Sequence, residues 1–157
     1  MNKIVTINKA IEIAQKLKKQ NKSIVLVGGF FDILHIGHIK FLENSKKYGD
    51  YLFVLLEPDY KAKKLKGINR PINSQKNRAK ILSSLGSVNY IILLKNMTND
   101  LTYDRIIIQM APNVLATTDG DPYIEHKKRQ AKLINGIVVS VIERINNYST
   151  TQLTKYI

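Results

Sequence analysis

Val27-Gly28-Gly29-Phe30-Phe31-Asp32-Ile33-Leu34-His35-Ile36-Gly37-His38 is the stretch that decides how this chain folds. A β-rich apolar run, Ser23 to Val27, gives way to two glycines and an acid, and the next regular segment opens on two imidazoles three residues apart. The order is strand, tight turn, helix start. On a helix, that spacing puts both rings on one face. The first turn of a helix also carries unpaired N–H groups and the positive end of the dipole, so imidazoles placed there suit an anionic phosphate. The same pair is compatible with a surface pair or with half of a metal site, so the rest of the chain has to decide.

Outward from this point the periodicity alternates. Ile7, Ala10, Ile11, Ala14 and Leu17 recur with helical spacing behind Thr6, a plausible cap, which predicts an amphipathic helix near the start. Ile24 to Val27, Tyr51 to Leu56, Tyr90 to Leu94, Val114 to Ala116 and Ile137 to Ile142 are short apolar or β-branched runs that read as five strands. Between them, Ile36 to Tyr48, Ser74 to Leu85, Leu101 to Met110 and Tyr123 to Ile134 have helical length and pattern, and a last short helix starts at Ser149. Nearly continuous apolar strands alternating with helices predict a parallel sheet covered on both faces. Right-handed crossovers make that an α/β, doubly wound, five-stranded parallel sheet. Ligands in such sheets bind beyond the carboxyl ends of the strands, where the strand order reverses. The chemically unusual residues lie there: Gly28 to Asp32, Glu57 to Lys66, Asp119 to Asp121 and Arg144 to Thr151.

Composition limits the alternatives. At 157 residues the expectation is one domain, with 1–22 an N-terminal helix and 23–157 the core. The absence of cysteine excludes disulfides and thiolate metal sites. The first residues lack the apolar core of a secretory signal, and no run approaches the roughly 18 apolar residues of a membrane span. A soluble, cytoplasmic protein without a membrane partner is the expectation. The formal charge of +13, from 25 Lys plus Arg against 12 Asp plus Glu, would suit nucleic acid, but the lysines are spread over nearly every segment.

Several constellations carry chemistry. The Gly28-Gly29 turn matches neither the dinucleotide fingerprint nor a Walker loop, and offers instead a backbone free to approach a phosphate. Lys64 and Lys66 flank one residue, so in an extended loop they project to the same side, and Arg70 and Arg78 add guanidinium forks suited to phosphate oxygens. Ser149, Thr150 and Thr151 follow Arg144 closely. They read either as a helix cap or, beside that cation, as ligands for the outer phosphates of a triphosphate. Asp119-Gly120-Asp121-Pro122-Tyr123 is a turn at a strand end, placed to contact a base or sugar.

Phe31-Asp32-Ile33-Leu34-His35-Ile36-Gly37-His38 resembles the signature of the nucleotidyltransferase superfamily that contains cytidylyltransferases and phosphosugar adenylyltransferases. The likeness runs from about Val25 to Ile157. Leu65-Lys66-Gly67, Arg70-Pro71-Ile72-Asn73, Arg78-Ala79 and Tyr148-Ser149-Thr150-Thr151 look most like bacterial heptose-1-phosphate adenylyltransferase domains, with glycerol-3-phosphate cytidylyltransferases next. The resemblance implies a Rossmann-like fold of nucleotidyltransferase type. It also implies a reaction in which an NTP, ATP or CTP, and a phosphorylated small molecule yield an NDP-linked product and pyrophosphate. By this likeness His35, His38, Lys66 and Arg144 are catalytic. Gly29, Phe30, Phe31, Asp121, Ser149, Thr150 and Thr151 bind nucleotide, and Asp32, Lys64, Arg70 and Arg78 bind the acceptor. Mg²⁺ accompanies the NTP with no protein ligand assigned, and homodimerisation is left open. The chemistry needs positioning and charge neutralisation, with no covalent enzyme intermediate.

The chain departs from that pattern at Gly28-Gly29-Phe30-Phe31, at Glu57-Pro58-Asp59 and at Thr118 to Pro122, which border the acceptor and base pockets in the family. No kinase-like segment precedes the signature, so a sugar kinase activity is expected on another chain. Two other readings follow from the same residues. One is a nucleic-acid-binding module, against which stands the lack of repeated exposed aromatics. The other is a nucleotide sensor without turnover.

Overall fold

The computed structural model describes residues 2–97, 99–143 and 149–156. In chain order the elements are β1 (Ile4–Val5), α1 (Ile7–Lys19), β2 (Ile24–Gly29), α2 (Ile36–Lys46), β3 (Tyr51–Leu56), α3 (Asp59–Lys66) and α4 (Gln75–Ser83). There follow β4 (Tyr90–Leu93), α5 (Asp100–Met110), β5 (Val114–Thr118), α6 (Ile124–Leu133), β6 (Ile137–Ile142) and α7 (Thr150–Leu153), with a closing 3₁₀ turn. The strands form one sheet in the order β1-β4-β3-β2-β5-β6, and every pairing is parallel.

Alternate side chains of each strand enter opposite cores. Val25, Val27, Leu52, Val54 and Leu56 pack with Phe41 and Leu42 of α2 and Ala79 and Leu82 of α4. Leu26, Phe53, Leu55 and Ile92 pack with Ala10, Ala14 and Leu17 of α1 and Ile106, Ile107 and Met110 of α5. Both faces are covered, which is why the strands read as unbroken apolar runs. Thr6 caps α1 by accepting from the Lys9 N–H at 3.3 Å, as its spacing suggests.

Two features differ from the sequence expectation. The sheet has six strands, because Ile4 and Val5 add a parallel edge against Ile91 and Ile92 of β4. Two residues are too few to show a period, and this strand makes the N-terminal segment part of the sheet. The extended loop expected at Lys64 and Lys66 is instead the last turn of helix α3, Asp59–Lys66. Residues two apart on a helix do not share a face, so Lys64 and Lys66 diverge. Pro58 before the helix, Asp59 in its first turn and Gly67 at φ 106° after it are the punctuation that defines it.

From β2 the chain steps outward through β3 and β4, then returns to place β5 on the other side of β2. The reversal leaves a crevice beyond the carboxyl ends of β2 and β5.

Candidate active site

The loop leaving β2 is held by side chains that the sequence marked for ligand. Phe31 adopts φ 47°, the left-handed region that a bulky residue rarely occupies. Its buried ring folds back over Gly29, where an added Cβ would lie 2.8 Å from Phe31 Cε2. Gly29 is therefore required by the aromatic ring behind it. Gly28 differs: a Cβ there would meet nothing nearer than Leu55 Cβ at 3.8 Å, an ordinary contact, and Gly28 lines the cleft.

Asp32 is 2% exposed and faces inward. Its carboxylate accepts from Arg70 Nε at 2.8 Å, the Ile72 N–H at 2.9 Å and the Asn73 N–H at 2.9 Å. Burial alone would raise its pKa, but the Asn73 and Ile72 N–H groups and Arg70 outweigh burial and hold it below the usual carboxylate range. Arg78 is wholly buried. Its guanidinium donates to Asn73 O at 3.0 Å, Glu57 O at 2.9 Å, Asp59 Oδ1 at 2.7 Å and Phe30 O. Charge type was legible in sequence, but direction was not. Asp32 and Arg78 stitch the loops after β2 and β3 to the start of α4, and Arg78 does not face the crevice as an acceptor clamp. Arg70 is also buried; its Nε is taken by Asp32, while its Nη2 is buried without a hydrogen-bond partner.

On this frame His35 sits at the N-cap of α2 and His38 in its first turn. Their rings stack with centroids 3.8 Å apart and 25° between planes, and the Phe31 ring meets His38 edge-on at 5.2 Å. Burial, with added repulsion from His35 and Lys66, pushes His38 down to about 4, and burial lowers His35 as well. Both imidazoles are therefore neutral near pH 7 and can stack without like-charge repulsion. Their Nδ1 atoms are buried and have no hydrogen-bond partner within the protein. An anion there would favour the protonated form, so the pair can take up a proton as negative charge arrives.

Lys66 is exposed along its stem, while its ammonium group lies 4.9 Å from the centroid of the Phe30 ring. Burial, followed by the charges of Arg70 and Arg78, lowers its pKa against a smaller opposing effect of Asp32. His35, His38, Lys66, Gly29, Phe30, Phe31, Ser149, Thr150, Thr151 and Asp121 all line one cleft of about 680 Å³. A neighbouring groove of about 840 Å³ is lined by Arg70 and Asn69, and Lys66 and Thr151 border both. Lys64 lines neither. Ser149 caps α7 by accepting from the Gln152 N–H at 3.2 Å, so the cap reading of these hydroxyls holds while all three still edge the cleft. Asp121 accepts from Thr117, Lys127 and the Tyr123 N–H, contacts that outweigh its burial and keep its pKa low. Arg144 and Tyr148 lie outside the described residues.

Sequence reading marked Glu57 to Lys66 as an unusual strand end but did not join it to Tyr103. Glu57 at the end of β3, Lys61 in α3 and Tyr103 in α5 join in one hydrogen-bonded ring that lines the cleft. No spacing links residues 57 and 103; the parallel topology brings them together.

Fold and cleft together define a doubly wound α/β domain whose switch-point crevice carries a neutral imidazole pair and a lysine ready for an anionic ligand. The chain belongs to the cytidylyltransferase-like family, whose family model matches residues 26–155. It is similar to the bifunctional protein HldE of Aliarcobacter butzleri, with 47% identity over 95 residues, 60% of this chain and 20% of that protein. It is also similar to HldE of Actinobacillus succinogenes, with 35% identity over 156 residues, 98% of this chain and 32% of that one. The chain thus spans between about a fifth and a third of the length of these relatives. Among solved structures, the lipopolysaccharide core biosynthesis protein of Thermoplasma volcanium superposes with TM-score 0.61 at 32% identity, covering 82% of this chain and 99% of that one. Pantoate-beta-alanine ligase of Francisella tularensis, at 18% identity and TM-score 0.63, shares the fold; the match covers 96% of this chain and 75% of that one. Among the described residues no helix is long and apolar enough to cross a membrane.

Proposed function

We propose that this chain is a nucleotidyltransferase that moves an adenylyl group from ATP to a phosphorylated sugar such as heptose 1-phosphate, with release of pyrophosphate. The observation that carries this reading is the stacked, neutral His35–His38 pair in one cleft with Lys66. The similarity to HldE proteins and to a lipopolysaccharide core biosynthesis protein supports a sugar as acceptor.

In this reading an oxygen of the acceptor phosphate attacks the α-phosphorus of ATP, and the bond from that phosphorus to the bridging oxygen of the β-phosphate breaks. Pyrophosphate carries away the electron pair. The two imidazoles meet charge gathering on the α-phosphate oxygens, and Lys66, at the border of cleft and groove, spans the transferred group and the leaving phosphates. Ser149, Thr150 and Thr151 receive the outer phosphates. Asp32, Arg70 and Arg78 act by holding the loops in place, with the free Nη2 of Arg70 available to the acceptor phosphate. Among the described residues no group of three His, Asp or Glu side chains is arranged to hold a metal. In this proposal a divalent cation, Mg²⁺, enters with the NTP as part of the substrate, held by phosphates and water.

The test is pyrophosphate release from each of the four NTPs against heptose 1-phosphate, mannose 1-phosphate and glycerol 3-phosphate. Turnover with ATP and a sugar phosphate is the expected result. Turnover confined to CTP and glycerol 3-phosphate would replace the substrate assignment, and silence across the panel would overturn transfer altogether.

A further inference from the structure

The cleft has two lobes of different chemistry. The imidazole and Lys66 lobe is ready for an anion. The other is lined by Gly28, Leu26, Leu55 and Leu115. Its rim is a closed ring: Lys61 Nζ donates to Glu57 Oε1 at 2.8 Å and to Tyr103 Oη at 2.7 Å, and the Tyr103 hydroxyl donates to Glu57 Oε2 at 2.8 Å. The Lys61 ammonium also lies 4.6 Å from the centroid of the Tyr103 ring.

Counting donors and acceptors shows what remains for a ligand. An ammonium has three N–H donors and a carboxylate about four acceptor sites, so one Lys61 N–H and at least one Glu57 lone pair remain beyond the ring's own hydrogen bonds. A phosphate would meet the Glu57 carboxylate and be repelled. A hydroxyl, which both donates and accepts, satisfies both free positions at once. Burial raises the Tyr103 pKa, and Glu57 and Tyr103 raise that of Lys61 against the opposing effect of burial, so both keep their protons near neutral pH and the ring is not poised as a base.

We infer that Glu57, Lys61 and Tyr103 form a hydroxyl-reading subsite that selects a polyhydroxylated acceptor, its phosphate held on the Lys66 side where cleft and groove meet. This rests on the sugar-phosphate reading above and assigns the residues that enforce it.

The test is equilibrium binding of mannose 1-phosphate and of propyl phosphate, which carries the phosphate without the hydroxyls, to the whole chain by calorimetry. Wild type should prefer the sugar phosphate by about tenfold, the scale of one well-made hydrogen bond to a charged group. Tyr103→Phe and Glu57→Gln should erase most of that preference while leaving the propyl phosphate Kd unchanged. Lys61→Met supplies a third variant should either fail to fold. Equal affinity for the two ligands in wild type, an unchanged preference in the variants, or parallel loss of both ligands would overturn the assignment. A Tyr103-dependent sugar preference without pyrophosphate release would uphold this subsite while removing the transfer reaction.

Discussion

Replacing Arg78 with Met tests whether the cleft hangs on one buried guanidinium. Met keeps a long apolar stem but removes the donors to Phe30 O, Glu57 O, Asn73 O and the Asp59 carboxylate. Three carbonyls each lose a hydrogen bond at about 1 kcal/mol, and the half-exposed Asp59 adds about 1 kcal/mol at most, for a total of about 4 kcal/mol. Against the 5–15 kcal/mol typical of a folded domain, about 4 is a large fraction and should lower Tm by about 10 °C. Urea unfolding followed by circular dichroism gives the number directly, provided the slope of free energy against urea is unchanged. A loss below about 1 kcal/mol, accompanied by collapse of sugar-phosphate binding, would refute the reasoning. It would mean that Arg78 faces the ligand.

The two turn glycines should separate cleanly. Gly29→Ala forces the Phe31 ring away and should cost about 1–3 kcal/mol of stability in a thermal melt. Gly28→Ala should leave stability nearly unchanged and weaken ligand binding, because its methyl makes only an ordinary contact and Gly28 lines the cleft; equal melting losses in the two variants would contradict this. For pH, His38 is pushed from 6.5 in the unfolded chain to about 4 when folded. The unfolded state then binds the proton first, so stability falls as pH drops from 6.5 to about 4, by up to about 3 kcal/mol, and this contribution levels off below. His38→Gln should flatten that slope, and an unchanged slope would rule out the burial argument. Asp32 is shifted in the same direction: its stabilisation is present above the unfolded value and is lost as pH falls through its depressed folded pKa, below the His38 window.

The layering was legible because both faces of the central strands are buried, so Ile24 to Val27 and Tyr51 to Leu56 carry strand character along their whole length. Ile4 and Val5 carried no such signal, since a two-residue edge strand exists only through β4. The imidazole pair was also legible: His35 and His38 share a helix face by spacing alone, and the structure stacks them. Residue type failed where direction mattered. Arg78 and Asp32 have the charges of a binding site and spend them on backbone N–H and carbonyl groups, a choice set by loops that meet only in three dimensions. Lys64 and Lys66 were paired by an extended-loop assumption that Pro58 and Gly67 contradict, since they bracket a helix. Glu57 and Tyr103 meet through the register of β3 and the docking of α5, which no local pattern encodes.

The central claim is that the neutral imidazole pair receives charge that develops on the transferred phosphoryl group. Single-turnover measurement of adenylyl transfer in His38→Ala, with ATP affinity determined separately, tests it most directly. The rate of the chemical step should fall by on the order of 10²-fold or more while ATP binding weakens far less. A near-wild-type rate, or a loss confined to ATP affinity, would contradict it.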